Sequence, residues 1–193
     1  MIAYLQGRLS EKYPTHVVIE CQGVGYEVHI SLHTYSQLGD QEQIKLLTHL
    51  HIKEDSHTLY GFCDDFERAL FRLLLTVSGI GTNTARTMLS SVSPNELKDA
   101  VIREDVRLIQ SIKGIGAKTA QRIILDLKDK MIKLTGDSKS VTLPHNTNKE
   151  EALSALEILG FSRKSAEPIL EKIDQANPGL TVEDLIKMTL KQI

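Results

Sequence analysis

Val77-Ser78-Gly79-Ile80-Gly81-Thr82-Asn83-Thr84-Ala85 is echoed, from position 112, by Ile112-Lys113-Gly114-Ile115-Gly116-Ala117-Lys118-Thr119-Ala120. Each copy reads apolar-x-Gly-Ile-Gly-x-x-Thr-Ala and precedes a stretch whose apolar spacing suits a helix. Glycine has no Cβ, so the backbone can turn tightly and approach a partner closely. A helix that starts just after such a turn leaves its first N–H groups unpaired, and these suit a phosphate oxygen. Two such sites hold two phosphates and read no base. The repeat therefore predicts DNA binding without strong sequence preference.

The segment around the repeat, residues 64–134, reads as a duplicated helix–hairpin–helix. Phe66 to Leu75 carries the broad apolar stripe of a buried amphipathic helix. Ser93-Pro94-Asn95-Glu96 is a capping box with proline in the first turn. Ala117 to Ile132 is the longest expected helix, with Lys128, Lys130 and Lys133 toward its end.

Upstream, residues 1–63 read as β. Val17 to Cys21 and Tyr26 to Ile30 flank Gln22-Gly23-Val24-Gly25, and Ile44 to Ile52 pairs with Thr58 to Phe62 across Lys53-Glu54-Asp55-Ser56. Five or six short strands in so few residues predict a small closed barrel of the OB type. Downstream, the polar residues 135–147 read as a flexible linker. Residues 148–193 read as a small three-helix domain, with Gly160 stopping the first helix and caps near Ser162 and at Thr181. The fold class is thus α+β and multidomain.

The net charge of −2 conceals an uneven distribution. Residues 1–63 hold 4 Lys/Arg against 7 Asp/Glu, residues 64–134 hold 12 against 9, and residues 135–193 hold 7 against 9. The positive segment is the one with the hairpins, and a local basic surface is what attracts phosphate. No apolar run is long enough to span a bilayer and no signal peptide is seen, so a cytoplasmic protein without membrane attachment is expected. Cys21 and Cys63 read as reduced thiols.

The candidate phosphate-binding residues are Gly79, Gly81, Thr82 and Asn83 in the first hairpin and Gly114, Gly116, Lys118, Thr119 and Arg122 in the second. Lys118 and Arg122 lie four apart and share a helix face, beside the Gly114 and Gly116 amides. Asn83 occupies the position of Lys118, so the first hairpin is expected to bind more weakly. His49, His51 and His57 read as polar strand residues, because no cysteine or carboxylate at zinc spacing accompanies them. Gly114-Ile115-Gly116-Ala117-Lys118-Thr119 lacks the adjacent Gly-Lys of a P-loop. No catalytic residue, metal or cofactor is expected. A helix–hairpin–helix glycosylase or nuclease would need an acidic cluster in a pocket, and Asp126 and Asp129 stand among lysines. A generic duplex-binding scaffold is the other alternative.

The order barrel, tandem helix–hairpin–helix, linker, three-helix tail resembles the RuvA family of bacterial Holliday-junction-binding subunits. The resemblance spans the chain. It rests on Met1-Ile2-Ala3-Tyr4-Leu5-Gln6-Gly7, Gly23-Val24-Gly25-Tyr26-Glu27-Val28, Lys53-Glu54-Asp55 and Leu59-Tyr60-Gly61-Phe62. Both glycine hairpins, Lys118-Thr119-Ala120-Gln121-Arg122 and Leu159-Gly160-Phe161 carry it further. It implies a homotetramer, one or two stacked per junction, that holds a four-way junction flat. Glu54 and Asp55 match the family's acidic pin. The tail, UBA-like by the same resemblance, matches the part that docks on the RuvB-type hexameric ATPase, with Leu156, Leu159 and Phe161 at the matching apolar positions. A RuvC-type resolvase belongs to the same implied pathway of recombination, repair and the SOS response. This chain departs from the family at Thr82-Asn83, where Pro-Lys is familiar, and at Lys113 and Ala117, where one positive charge has moved.

Overall fold

The computed structural model describes residues 1–39, 41–136, 144–177 and 179–193. It divides into two compact units, Met1–Ser138 and Lys139–Ile193.

The first unit begins with β1 (Tyr4–Lys12), β2 (His16–Cys21) and β3 (Val24–Ile30), then α1 (Leu32–Gln37), β4 (Gln43–Ile52) and β5 (His57–Phe62). The strands close into a five-stranded barrel in the order β1-β2-β3-β5-β4. All pairs are antiparallel except β3 with β5. Period-two alternation sends Val17, Ile19, Val28, Ile30, Ile44 and Leu46 into the interior. Closure depends on two glycines. A Cβ on Gly7 would lie 2.1 Å from the Glu20 carbonyl oxygen, and one on Gly61 would lie 2.6 Å from Val28 Cγ1. Helix α1 was not foreseen. It is six residues long, and its N-cap Ser31 accepts from the Thr34 amide.

The rest of this unit is helical: α2 (Asp65–Leu75), α3 (Thr82–Ser91), α4 (Pro94–Ile102), α5 (Val106–Ser111) and α6 (Ala117–Gly136). The sequence repeat is also a repeat of the core. Leu74, Val77, Ile80, Ala85 and Met88 are buried, and so are Ile109, Ile112, Ile115, Ala120 and Ile123 at the matching positions. The expected capping box forms, with Ser93 and Glu96 each accepting from the other's backbone amide.

The barrel has its own core, and its strand β5 also lends Tyr60 and Phe62 to the core of the helices. Tyr60 and Phe62 of β5 pack on Phe71 of α2, with ring centroids 5.1 and 5.0 Å apart. Beside them Glu67, fully buried on α2, accepts from the hydroxyls of Ser31 and Thr34 of the α1 segment. Burial raises the Glu67 pKa against those two hydrogen bonds.

The second unit comprises α7 (Pro144–Ile158), α8 (Arg163–Ala176) and α9 (Val182–Leu190) around Leu153, Leu156, Leu170, Ile173 and Leu185. Gly160, at φ 97°, closes α7: its amide bonds to the Glu157 carbonyl and the Phe161 amide to the Leu156 carbonyl, a Schellman end. Ser162 and Thr181 cap α8 and α9. Helices α6 and α7 enter the stretch read as linker from both sides, and residues 137–143 of it lie outside the described residues. Among the described residues no helix is long and apolar enough to cross a membrane.

Candidate nucleic-acid interface

The two glycine segments fold alike. In the first, the Ile80 amide bonds to the Val77 carbonyl at 3.1 Å and Gly79 takes φ 93°. In the second, the Ile115 amide bonds to the Ile112 carbonyl at 3.1 Å and Gly114 takes φ 91°. A positive φ at the third residue marks a type II turn and explains Gly79 and Gly114. The flanking Val77, Ile80, Ile112 and Ile115 are buried, so each turn is anchored while its tip is exposed.

Gly81 and Gly116 have a different explanation. Gly81, at φ −93°, is the N-cap of α3, and Gly116 shows no left-handed φ. Their carbonyls accept the first helical bonds, from Ala85 and Ala120, both at 2.9 Å. No side chain caps α3, and glycine offers none to α6. A Cβ at either position would meet nothing within 4 Å. Neither backbone conformation nor packing within the chain calls for glycine there. What glycine provides is access to the first-turn amides of two helices, which have no side-chain partner among the described residues and suit an anion.

The side chains around the two turns differ. At the second, Lys118 is exposed and makes no ion pair among the described residues, Thr119 is half-buried, and Lys113 is exposed on the turn itself. At the first, Asn83 is exposed, but Thr82 is only 8% exposed. The Thr82 hydroxyl accepts from the Tyr60 hydroxyl of the barrel at 2.9 Å. The Thr82 side chain is thus turned toward the barrel and away from solvent. Arg122 is also redirected. It was expected beside Gly114 and Gly116, yet its Nη1 donates to the Ser78 carbonyl of the first hairpin at 3.1 Å. Lys128 is paired with Glu104, whose carboxyl it holds below the usual range.

Two further contacts hold the first hairpin's helix to the barrel. Arg86 of α3 donates to the Thr15 carbonyl and to His29 Nδ1, each at 3.2 Å. An arginine only donates, so Nδ1 accepts and His29 is neutral there. Burial, then the Arg86 charge, lowers the His29 pKa. None of this was visible in the sequence, because the partners come from a helix, a strand and a loop far apart in the chain.

The β4–β5 hairpin ends on Glu54 and Asp55. The Lys53 amide bonds to the Ser56 carbonyl at 2.8 Å, leaving both carboxylates exposed at the tip. His49 is half-buried edge-on to Phe71, at 5.4 Å, and its pKa is lowered by burial and by Arg72. Sequence reasoning missed a group of His33, Asp64 and Glu67 with donor atoms within 4.8 Å of one another. Each is committed elsewhere: Asp64 caps α2, Glu67 accepts from Ser31 and Thr34, and His33 bonds to Gln37.

In the second unit Leu156 is fully buried in the core of the three helices, which a domain of this size needs for its own stability. Phe161 packs partly against the same core. Leu159 is 58% exposed, and Ile158, which the sequence reading passed over, is 85% exposed.

Comparisons with known proteins cover all three segments. Residues 1–61 match the RuvA N terminal domain, residues 71–129 the SAM-like Helix-hairpin-helix tandem, and residues 147–193 the RuvA C-terminal domain. The chain is similar to proteins named Holliday junction branch migration complex subunit RuvA. It is 59% identical to the one from Christiangramia forsetii and 58% identical to the one from Flavobacterium psychrophilum, over the full length of both chains in each case. It is 54% identical to the one from Cytophaga hutchinsonii, with 99% of each chain covered.

Proposed function

The chain belongs to the RuvA family, and from that premise we propose that it binds four-way (Holliday) DNA junctions by shape. In this reading it recruits a RuvB-type hexameric ATPase for branch migration in recombination and repair. The observation that carries it is the pair of helix N-termini at Gly81 and Gly116, whose first-turn amides have no side-chain partner among the described residues and where a Cβ would meet nothing within 4 Å.

Each hairpin takes one backbone phosphate. Gly79, Gly81 and Asn83 form the first site, and Gly114, Gly116, Lys118 and Thr119 the second. Amide and ammonium donors neutralise phosphates without reading bases, so arms of any sequence are held alike. Glu54 and Asp55 act as the pin. Carboxylates at an exposed tip repel phosphates, which guides strands apart at a crossover and disfavours an unbroken duplex.

Four subunits would present these surfaces to four arms. A second tetramer stacked on the first would find Leu125, 83% exposed on α6, as an apolar contact. In the tail, Ile158 and Leu159 are the apolar residues available to the motor. The chain supplies no hydrolytic chemistry in this reading: ATP is spent by the partner, and a RuvC-type resolvase acts later in the same cytoplasmic pathway.

The test is competition between a four-way junction and linear duplex of equal length, in several unrelated sequences. The junction is expected to win by about a hundredfold, about 2.8 kcal/mol, with little variation among sequences. Equal affinity for the two would reduce the protein to a general duplex scaffold.

A further inference from the structure

We propose that Arg122 is a positioning residue for the first hairpin: it braces that turn from the helix of the second, and it supplies the positive charge that Asn83 does not. The proposal rests on the reading of the hairpins as phosphate sites.

The first hairpin's turn uses the Val77 carbonyl for its own hydrogen bond and leaves the Ser78 carbonyl over. Arg122 takes that acceptor, 44 positions away in sequence, at 3.1 Å. The duplication supplies an internal control. The position equivalent to Arg122 is Thr87, whose hydroxyl bonds back to the Asn83 carbonyl of its own helix at 2.9 Å. The carbonyl equivalent to that of Ser78 belongs to Lys113, and among the described residues no side chain bonds to it. The repeat is therefore braced in one direction only.

Charge follows the same asymmetry. A guanidinium has five N–H donors in a planar fork. Arg122 is exposed, spends one donor on Ser78 and pairs with no carboxylate among the described residues. Its remaining donors stand at the first turn, where Asn83 offers no charge. Lys118 serves the second turn alone. The brace also fixes the distance between the two turns, and that distance decides whether two phosphates of one duplex can be held together.

A double-mutant cycle on the full chain with a four-way junction tests the assignment. R122A is expected to weaken binding about tenfold, the order of a lost charge-assisted hydrogen bond. Combined with G81A its effect should shrink, because both act on the first site. Combined with G116A the two losses should multiply. Amide exchange without DNA gives a second readout: R122A should speed exchange at Ile80 several-fold and leave Ile115 unchanged. R122K should restore the salt dependence of binding but not the protection of Ile80, since a point charge on a flexible stem does not hold the Ser78 carbonyl and a phosphate together as the planar fork does. Coupling to G116A in place of G81A, or equal exchange changes at both turns, would overturn the brace and leave the phosphate reading standing. If G81A and G116A each left junction affinity unchanged, the phosphate reading would fall and the brace with it.

Discussion

The two hairpins have one backbone and two sets of supports. The first is held: Tyr60 grips Thr82, Arg86 ties α3 to the barrel, and Arg122 takes the Ser78 carbonyl. The second carries charge: Lys113 and Lys118 stand exposed, and no barrel residue bonds to its turn among the described residues. Backbone amides alone are enough to define an anion site, so the duplication can keep its glycines and let the side chains diverge. In the proposed reading, a copy without its own lysine need not be the weaker one, because rigidity and a borrowed arginine offset the loss.

The largest effect should come from removing access at both copies. G81A and G116A together should weaken junction binding about a hundredfold, two charge-assisted contacts at about tenfold each. Thermal stability should fall by no more than about 8 °C, since each of the two alanine N-caps costs at most about 1 kcal/mol against glycine. A large loss of melting temperature would mean that these glycines are structural after all. Next, K118A should weaken binding about tenfold for all junction sequences and lower the slope of log K against log salt by about one. N83K should raise that slope by about one; no change there would show that Arg122 already fills the site. Y60F should cost about 1 kcal/mol of stability and loosen the first turn alone, as read by amide exchange at Ile80 and Ile115.

The smallest effect concerns pH. His29 has a lowered pKa in the folded chain, so below the ordinary histidine value of about 6.5 the unfolded chain binds more protons than the folded one. Its contribution is complete above that value and is lost as pH falls toward the depressed one. A protonated His29 would face Arg86 and His16, with Glu27, at 3.6 Å, as the counter-charge among the described residues. H29Q should flatten the fall in melting temperature over this range, and an unchanged profile would place the titration elsewhere.

How far the sequence could be read depended on how local each cause was. Gly79 and Gly114 were legible because a type II turn demands a positive φ there. The barrel was legible from alternation and turn signals, and the family resemblance agreed with both. Helix α1 was not, since six residues show no helical period. The inward turn of Thr82 was not legible, because the tyrosine that holds it lies on β5. Arg122 was assigned to its neighbour in sequence, while its acceptor lies across the domain. Leu156 and Ile158 stand two apart near a helix end, and only the packed helices show which one the core takes.

The central claim is that the free amides beside Gly81 and Gly116 are the phosphate contacts. Backbone amide NMR shifts of the protein, titrated with a short four-way junction, address it directly. The account predicts the largest changes at residues 82–84 and 117–119, in both copies and with any arm sequence. Changes confined to the barrel strands or to the tail, with both helix starts silent, would contradict it.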